Sequence, residues 1–174
     1  MVIGTFIMVA TYSLFYIMTA FAQAYSRTPA TLSEAGYPMG LGIPANTFTG
    51  LLLMSAIVFA IFISISGLYA DKIGRRKWLI WTTVSILIFA LCMPLFLGNG
   101  TPASVFAFLV IGMALMGMTF GPMAALLPEL FPTEVRYSGA SLAYNIASII
   151  GATIAAMISL KINALYGLMG VGIY

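Results

Sequence analysis

The charged residues of this chain are concentrated in two short segments, and they are residue types able to form reversible ionic contacts. The first segment, 67–77, reads GLYADKIGRRK and holds five of the eleven charged residues. The second, 128–137, reads PELFPTEVRY and holds three more. Each charged segment lies between long segments without charged residues, namely 35–70, 78–128 and 137–160. The charges are therefore expected at a boundary between an apolar and a polar environment.

The arginine and carboxylate side chains of these segments are complementary in geometry and charge. A guanidinium binds a carboxylate through two parallel N–H···O bonds, so Arg75 and Arg76 are expected to bind Glu129, with Arg136 completing the set. Such a network forms in one arrangement of helices and breaks in another, which is what a two-state gate requires. The alternative is that these charges only set membrane topology.

Aspartate and glycine residues of the first segment have a spacing that topology alone would not need. Asp71 precedes Arg75 by one helical turn, and near a helix N-terminus its carboxylate would gain about 0.3–1 kcal/mol from the macrodipole. Gly74 allows the positive φ that a tight reversal requires. Gly67 is expected to let a second helix approach closely. The segment is therefore predicted to be a tight ionic turn between two helices.

The composition excludes a soluble domain. Hydrophobic residues make up 62% of the 174 residues and charged residues 6%, whereas soluble domains carry about 25% charged residues. We therefore predict an all-α integral membrane protein whose apolar faces are covered by lipid. The net charge of +3 is explained by basic residues that flank apolar segments, so no nucleic-acid partner is expected. With one cysteine, Cys92, and no histidine, no metal site or cofactor is expected.

Apolar segments of about 20 residues, the length that crosses a bilayer as a helix, recur along the chain. We predict spans at about 3–24, 47–70, 78–97, 103–127 and 138–160. The tail 164–174 is too short to cross and is expected to begin a sixth span. Between these spans, segments 71–77 and 128–137 are charged turns with five of the seven cations, so the positive-inside rule places them in the cytoplasm.

Both charged segments resemble motifs of the major facilitator superfamily. GLYADKIGRRK is similar to the G-x-x-x-D-x-x-G-R-R/K loop between its second and third helices, found in weaker form between its eighth and ninth. PELFPTEVRYSGASLAYN resembles the loop and helix between its tenth and eleventh helices, above all in the metabolite:proton symporter family. The resemblance implies the C-terminal half of a twelve-helix bundle, with five full transmembrane helices and a truncated sixth. The N-terminal half would be a partner outside this chain.

The resemblance also assigns residues to a cytoplasmic gate. Asp71, Gly74 and Arg75 match the first motif, and Glu129 and Arg136 belong to the charge network of the second loop. Three features depart from the family pattern: a longer connection at 25–46, proline in place of alanine at position 128, and asparagine in place of glutamine at position 145.

Polar residues recur inside two spans, where a stripe facing lipid would be costly. The stripe of the first span is predicted to share one face at 3.6 residues per turn and consists of Thr5, Tyr12, Tyr16, Thr19 and Gln23. The fifth span carries Asn145 among serines on one face. The candidates for lining a substrate cavity are Tyr12, Tyr16, Gln23 and Asn145. Hydrogen bonding between helices is the alternative role for both stripes.

Small residues mark two faces for close helix packing. In the fifth span these are Ala140, Ala143, Ala147 and Gly151. In the fourth span, Gly117 and Gly121 form a G-x-x-x-G pair, and Pro122 removes a backbone donor, which allows a kink. Each face is therefore expected to contact a neighbouring helix.

The resemblance implies a secondary active transporter of a small organic acid or zwitterion in a bacterial inner membrane, working by alternating access with protons as the coupling ion. No aspartate, glutamate, lysine, arginine or histidine lies within the five spans, so the proton-binding group is expected in the other half. A sugar-porter-like or drug-exporting carrier is the alternative within the superfamily, and a channel or structural membrane subunit is the alternative outside it. An enzyme is not expected, because histidine and paired carboxylates within a span are lacking.

Overall fold

The computed structural model describes residues 2–151 and 155–174, with side chains except those of residues 2–7 and 10. The described residues form helices in the order α1 (Val2–Tyr16), a π-helical turn (Ile17–Phe21), α2 (Ala22–Arg27), α3 (Ala45–Ile73), α4 (Arg75–Leu91), α5 (Met93–Leu97), α6 (Pro102–Glu129), α7 (Arg136–Ile150) and α8 (Ala156–Ile173). Within those residues the extended pairing is limited to one bridge, between Leu32 and Pro38. The predicted all-helical class is confirmed.

Three of the described helices are long and apolar enough to cross a membrane, namely α3, α6 and α8. The other predicted spans are divided into shorter helices or, in the case of 138–160, include residues outside the described part of the chain. The count of five full spans and a truncated sixth therefore stays a prediction. The breaks themselves are informative about where the bundle can bend.

The predicted span 3–24 contains a π-helical turn, Ile17–Phe21, between α1 and α2. A π turn bonds i to i+5 and so winds more slowly than 3.6 residues per turn. The prediction that the stripe from Thr5 to Gln23 shares one face is therefore wrong across this turn. Residues on its two sides are rotated relative to the regular helix, and sequence periodicity carries no sign of the insertion.

The predicted span 78–97 is also two helices. Its first helix starts earlier than predicted, at Arg75, because Gly74 alone separates it from α3. It stops at Leu91, and Cys92 has φ −83° and ψ −3° before α5 begins. Pro94 lies in the first turn of α5, where its missing N–H costs no helical hydrogen bond.

The predicted boundary between residues 160 and 164 is wrong. Helix α8 continues through Lys161 and Asn163, and the break lies at Gly167, whose φ is 68° and ψ −172°. Glycine reaches this region without the penalty that a Cβ brings. A polar residue is a weaker signal for a helix end than a glycine that can adopt positive φ.

Helices α3 and α6 form the most extensive helix pair among the described residues. A Cβ at Gly117 would lie 2.8 Å from the Phe59 carbonyl oxygen, and one at Gly121 would lie 2.6 Å from that of Ile63. The Ser66 hydroxyl donates to the Gly117 carbonyl across the pair at 3.0 Å. The predicted close packing of the G-x-x-x-G pair is confirmed.

The prediction that Gly67 lets a second helix approach closely is wrong. A Cβ at Gly67 would meet no atom within 4 Å among the described residues, whereas one at Gly121 would lie 3.2 Å from the Gly67 backbone nitrogen. The close approach of α3 and α6 at this level therefore requires Gly121 of α6, not Gly67 of α3. The small-residue face of α7 behaves as predicted, with Ala143 and Ala147 fully buried and Gly151 against Tyr12 of α1.

Residues 28–44, here called the outer hairpin, cover α8 at its break. The Gly36 turn of the hairpin has φ 81°, and Met39 donates its backbone N–H to the Thr31 carbonyl at 2.8 Å. Three contacts tie the hairpin to α8: the Ser33 hydroxyl donates to the Ala164 carbonyl at 2.8 Å, the Asn163 amide donates to the Pro38 carbonyl at 3.0 Å, and the Tyr37 ring fills the space beside Gly167.

Candidate functional site: an ionic cluster and an aromatic face

The ends of three helices meet in an ionic cluster centred on Arg75. Its Nε donates to Asp71 Oδ1 at 3.0 Å, and its Nη1 donates to Glu129 Oε1 at 2.6 Å. Asp71 lies in the last turn of α3, Arg75 begins α4 and Glu129 ends α6. The predicted contact between Arg75 and Glu129 is therefore present, and it links residues far apart in sequence.

A single residue, Gly74, makes the reversal between α3 and α4. Its φ is 100° and its ψ 121°, so the predicted need for positive φ is confirmed. The stabilisation predicted for Asp71 does not come from its own helix, because Asp71 lies at the C-terminal end of α3, where a negative charge is disfavoured. Arg75 at an N-terminus and Glu129 at a C-terminus are disfavoured in the same way. Pairing offsets all three.

The cluster is open to solvent, which suits a contact that forms and breaks. The Arg75 side chain is 32% exposed, and those of Asp71 and Glu129 are 65% and 57% exposed. Exposed ion pairs are screened by water and salt and add little stability. Hydrogen bonds to Glu129 and then to Asp71 raise the pKa of Arg75 above its ordinary value, so the guanidinium stays charged.

Two other predicted members of the network lie outside it. Neither Arg76 nor Arg136 forms an ion pair with a described residue, so the prediction that Arg136 completes the set is wrong for this conformation. The loop before α7 is anchored instead by Phe131, which is buried and lies against Gly139. Helix α7 then begins with the Arg136 side chain exposed.

The four predicted cavity residues have different surroundings. Tyr12 and Tyr16 are half-buried and contact aromatic rings, Tyr16 that of Phe15 at 5.3 Å between centroids. The Gln23 side chain is half-buried and forms no hydrogen bond with a described residue, whereas the exposed Asn145 side chain donates to the Ser141 carbonyl at 2.8 Å. Thr5 of the same stripe lies outside the described side chains.

The described residues enclose a cavity of about 560 Å³, but none of these four lines it. The cavity lies between α1, the π turn, α4, α6 and the end of α8, and its walls are mainly apolar, among them Leu14, Met18, Leu79, Phe89, Met123 and Val171. A few hydroxyls, such as that of Thr83, and no charged side chain reach it. That the four residues line a substrate cavity stays a prediction.

An aromatic cluster, missed in the sequence, joins α1, α6 and α7. The rings of Tyr12, Phe120 and Tyr144 are each 6.5 Å from the other two, measured between centroids. Phe59 of α3 lies 6.1 Å from Phe120. Aromatic residues are common throughout this chain, so sequence could identify Tyr12 by its polar stripe but had no signal to join the others to it.

No group of histidine, cysteine, aspartate or glutamate suited to a metal ion is found within the described ranges. The structure therefore offers two candidate features: the Arg75 ionic cluster at one end of the helices and the aromatic cluster within them. The first joins the ends of three helices through exposed ion pairs, and the second packs three helices together.

Comparison with known proteins identifies relatives over the whole chain. Residues 2–156 match the Major Facilitator Superfamily. A Haemophilus influenzae protein named provisionally for metabolite transport is 87% identical over all 174 residues, which is 40% of its length. The inner membrane metabolite transport protein YhjE of Escherichia coli is 53% identical over 99% of this chain and 38% of its own. The proline/betaine transporter of Salmonella typhimurium is 35% identical over 58% of this chain and 21% of its own. No solved structure matches.

Proposed function

Because the chain belongs to the Major Facilitator Superfamily, we propose that it forms the C-terminal half of a secondary active transporter that works by alternating access. It is part of a multi-pass protein of the bacterial inner membrane, and its relatives are named as transporters, not enzymes. The chain spans about 40% of its Haemophilus relative, which supports a half-carrier. The order of its two charged segments supports the C-terminal half.

One observation carries the proposal: Arg75 joins the ends of α3, α4 and α6 through two ion pairs. The cluster is solvent-exposed, and each charge opposes the dipole of its own helix, so movement of the α6 end away from α3 and α4 would break the pair between Arg75 and Glu129 at little cost in stability. We assign Arg75, Asp71 and Glu129 to the cytoplasmic gate, with Gly74 as its turn. Arg76 and Arg136 are proposed to bind in the conformation that follows opening.

The substrate is proposed to be a small organic acid or zwitterion, moved together with protons. The metabolite-transport names of two relatives and the proline/betaine name of a third support this class. The five predicted spans contain no aspartate, glutamate, lysine, arginine or histidine, so the proton-binding group would lie in the N-terminal half. The polar residues Tyr16, Gln23 and Asn145 are proposed to face the substrate path between the two halves.

Substrate counterflow in proteoliposomes tests the proposal on the complete carrier. Vesicles preloaded with one unlabelled organic acid or zwitterion are mixed with a trace of the same compound in labelled form. Saturable uptake stimulated by the internal substrate means a carrier, whereas unsaturable flux means a channel. A proton gradient should increase accumulation, and a protonophore should abolish that increase. Absence of exchange for every compound of both classes would contradict the proposal.

A further inference from the structure

The cavity of about 560 Å³ is a groove whose walls carry a helical pattern. One wall is α4, whose lining residues recur at every turn: Leu79, Thr83, Leu87 and Ala90. The second wall is α1, with the same recurrence: Thr11, Leu14 and Met18. Helix α6 contacts both walls and forms the floor. Residues three and four apart share one face of a helix, so each wall presents a continuous stripe to this groove, here called the α4 groove.

The chemistry of the α4 groove suits an apolar occupant. No charged side chain of the described residues lines it. The hydroxyls of Thr83 and Thr119 donate within their own helices, to the Leu79 carbonyl at 2.8 Å and the Leu115 carbonyl at 3.0 Å. A polar ligand would therefore lose its hydration with few partners to replace it, which is unfavourable. Thr83 and Leu87 are exposed, so the groove opens to the outside along α4.

The part of α8 after its break runs into this groove. Gly167, at the break, lies beside the Tyr37 ring of the outer hairpin, whereas Gly172 lies against the Ala90 carbonyl of α4. A Cβ at Gly172 would also lie 3.8 Å from that of Met93. The chain therefore passes from the outer hairpin to the groove side of α4 within little more than one helical turn.

The direction of this turn is antiparallel to α4. Helix α4 begins in the ionic cluster at Arg75 and ends at Leu91, and α8 comes alongside it near that end, pointing away from the outer hairpin. The residues Val171–Tyr174 all line the groove. The Tyr174 N–H donates to the Gly170 carbonyl at 3.1 Å, so the backbone is still helical there. The axis of α8 therefore points along the groove toward the ionic cluster.

We propose that the α4 groove is the packing site of an apolar helical segment that follows Tyr174 in the complete carrier. Gly172 lies level with Ala90, and the groove extends from there to Leu79, about 16 Å along α4 at 1.5 Å per residue. A continuing helix reaches the level of Thr83 about five residues after Tyr174 and that of Leu79 about nine residues after it. The inference goes beyond the proposed function, because this packing does not depend on the compound that is transported.

Two observations favour this segment over a lipid acyl chain. The mouth of the groove on the hairpin side is filled by α8 itself, and a helix that continues from it meets one lining residue of α4 at each turn. The chain also spans only 40% of its Haemophilus relative, so the complete carrier has further chain to supply. An acyl chain has no comparable periodicity and gains nothing from stripes spaced by helical turns.

Disulfide formation tests the packing site on the complete carrier, in a background whose native cysteines are replaced. Thr83→Cys is combined in turn with a cysteine about four, five or six residues after Tyr174. Oxidation is expected to link at least one of these pairs, because a disulfide forms when the two Cα atoms come within about 7 Å, and mass spectrometry of the digested carrier detects the link. Val84→Cys, at the same depth but outside the groove and 49% exposed, is the matched control. Links at Val84→Cys instead, or at neither position, would overturn the inference.

Spin labels at the same two cysteines identify the occupant in a bilayer. Beneath a helix, the label at Thr83→Cys should lose the collisions with dissolved oxygen that the label at Val84→Cys retains. Equal oxygen collisions at both positions would mean that lipid fills the groove. Collisions of the Thr83→Cys label with a water-soluble nickel complex would mean an aqueous cavity, and either result would overturn the inference. Neither measurement requires transport, so the packing site and the proposed function can fail separately.

Discussion

The two ends of this helix bundle are held by different kinds of contact. At the ionic end, one glycine separates α3 from α4, and exposed charges on three helices form the tertiary contacts. At the hairpin end, the outer hairpin binds α2 and α8 through hydrogen bonds, two of them from the backbone N–H groups of Leu41 and Ile43 to the carbonyls of Tyr25 and Ser26 in α2. Screened charges break and re-form readily, whereas ordered backbone contacts do not.

The hairpin end is also where the helices are irregular. The π turn, the break at Cys92 and the break at Gly167 all involve residues next to one apolar core cluster that includes Phe21, Met93 and Leu168. Irregular helices expose backbone groups, and the hairpin satisfies one of them: the Ala164 carbonyl, whose regular partner would be Leu168 beyond the break, accepts the Ser33 hydroxyl. The comparison predicts that function depends on the ionic end and stability on the hairpin end.

The largest effect is expected from Arg75→Ala, which removes both ion pairs. Substrate turnover of the complete carrier should fall by about 5–150-fold, the usual range of coupling between conformational states, while equilibrium substrate binding changes little. Counterflow rates and binding titrations measure the two quantities. The matched control is Lys77→Ala, which removes a nearby cation that forms no ion pair with a described residue and has no assigned gate role. Turnover and binding falling together would assign Arg75 a structural role.

Gly167→Ala should break the hairpin end. An alanine there adopts a positive φ and meets the Tyr37 ring at 2.6 Å, so the free energy of unfolding should fall by about 1–3 kcal/mol. Thermal unfolding of the detergent-solubilised carrier measures the change. Gly50→Ala is the control, because a Cβ there meets no atom within 4 Å and alanine favours the helix. Equal melting temperatures would show that the kink is not needed.

Ser33→Ala tests one contact of the hairpin on α8. Loss of its hydrogen bond to the Ala164 carbonyl should lower the free energy of unfolding by about 0.5–1.5 kcal/mol and leave turnover nearly unchanged. Ser64→Ala serves for comparison, since the Ser64 hydroxyl bonds only within its own exposed helix. A clear loss of turnover without a loss of unfolding free energy would show that the hairpin, and not only the ionic end, takes part in transport.

The smallest effect is expected from salt. Raising ionic strength from 0.1 to 1 M shortens the screening length from about 10 to about 3 Å and should loosen the ionic end alone. Alkaline pH should not do the same. Because the pKa of Arg75 is raised on folding, its ion pairs stabilise the fold at every pH below the pKa of the unfolded chain. This stability is lost only as the pH rises through the pKa of the folded state, and both values lie above the pH range in which the carrier can be studied. The measurement is the rate of thiol labelling at a cysteine placed at each end, Lys72→Cys at the ionic end and Glu34→Cys at the hairpin end. An equal increase of the labelling rate with salt at both positions would show that the two ends do not differ in their contacts.

Local spacing made part of this arrangement predictable. The need for positive φ at Gly74, the pairing of Arg75 with Glu129 and the packing of Gly117 all follow from residue type and short-range pattern, and the structure contains each. These features depend on few atoms, so the residues that form them are recognisable in the sequence.

The remainder depends on contacts between distant segments. Gly167 is one of 17 glycines, and only the outer hairpin packed beside it explains the break there. Tyr12 and Phe120 come together because α1 and α6 pack, which periodicity within a single helix does not contain. The π turn contains no unusual residue type, so the sequence gives no sign that the 3.6-residue period is interrupted at Ile17–Phe21.

That π turn has a consequence for how this protein can diversify. Because the five residues of the π turn wind through about the same angle as four residues of an α-helix, deleting one residue within 17–21 would restore regular winding and leave both flanking parts of the span in nearly their present orientation. Tyr12 would stay beside Phe120 and Tyr144. Loss of a single codon is therefore tolerated at this turn, whereas in a regular helix it would rotate the preceding part by about 100°.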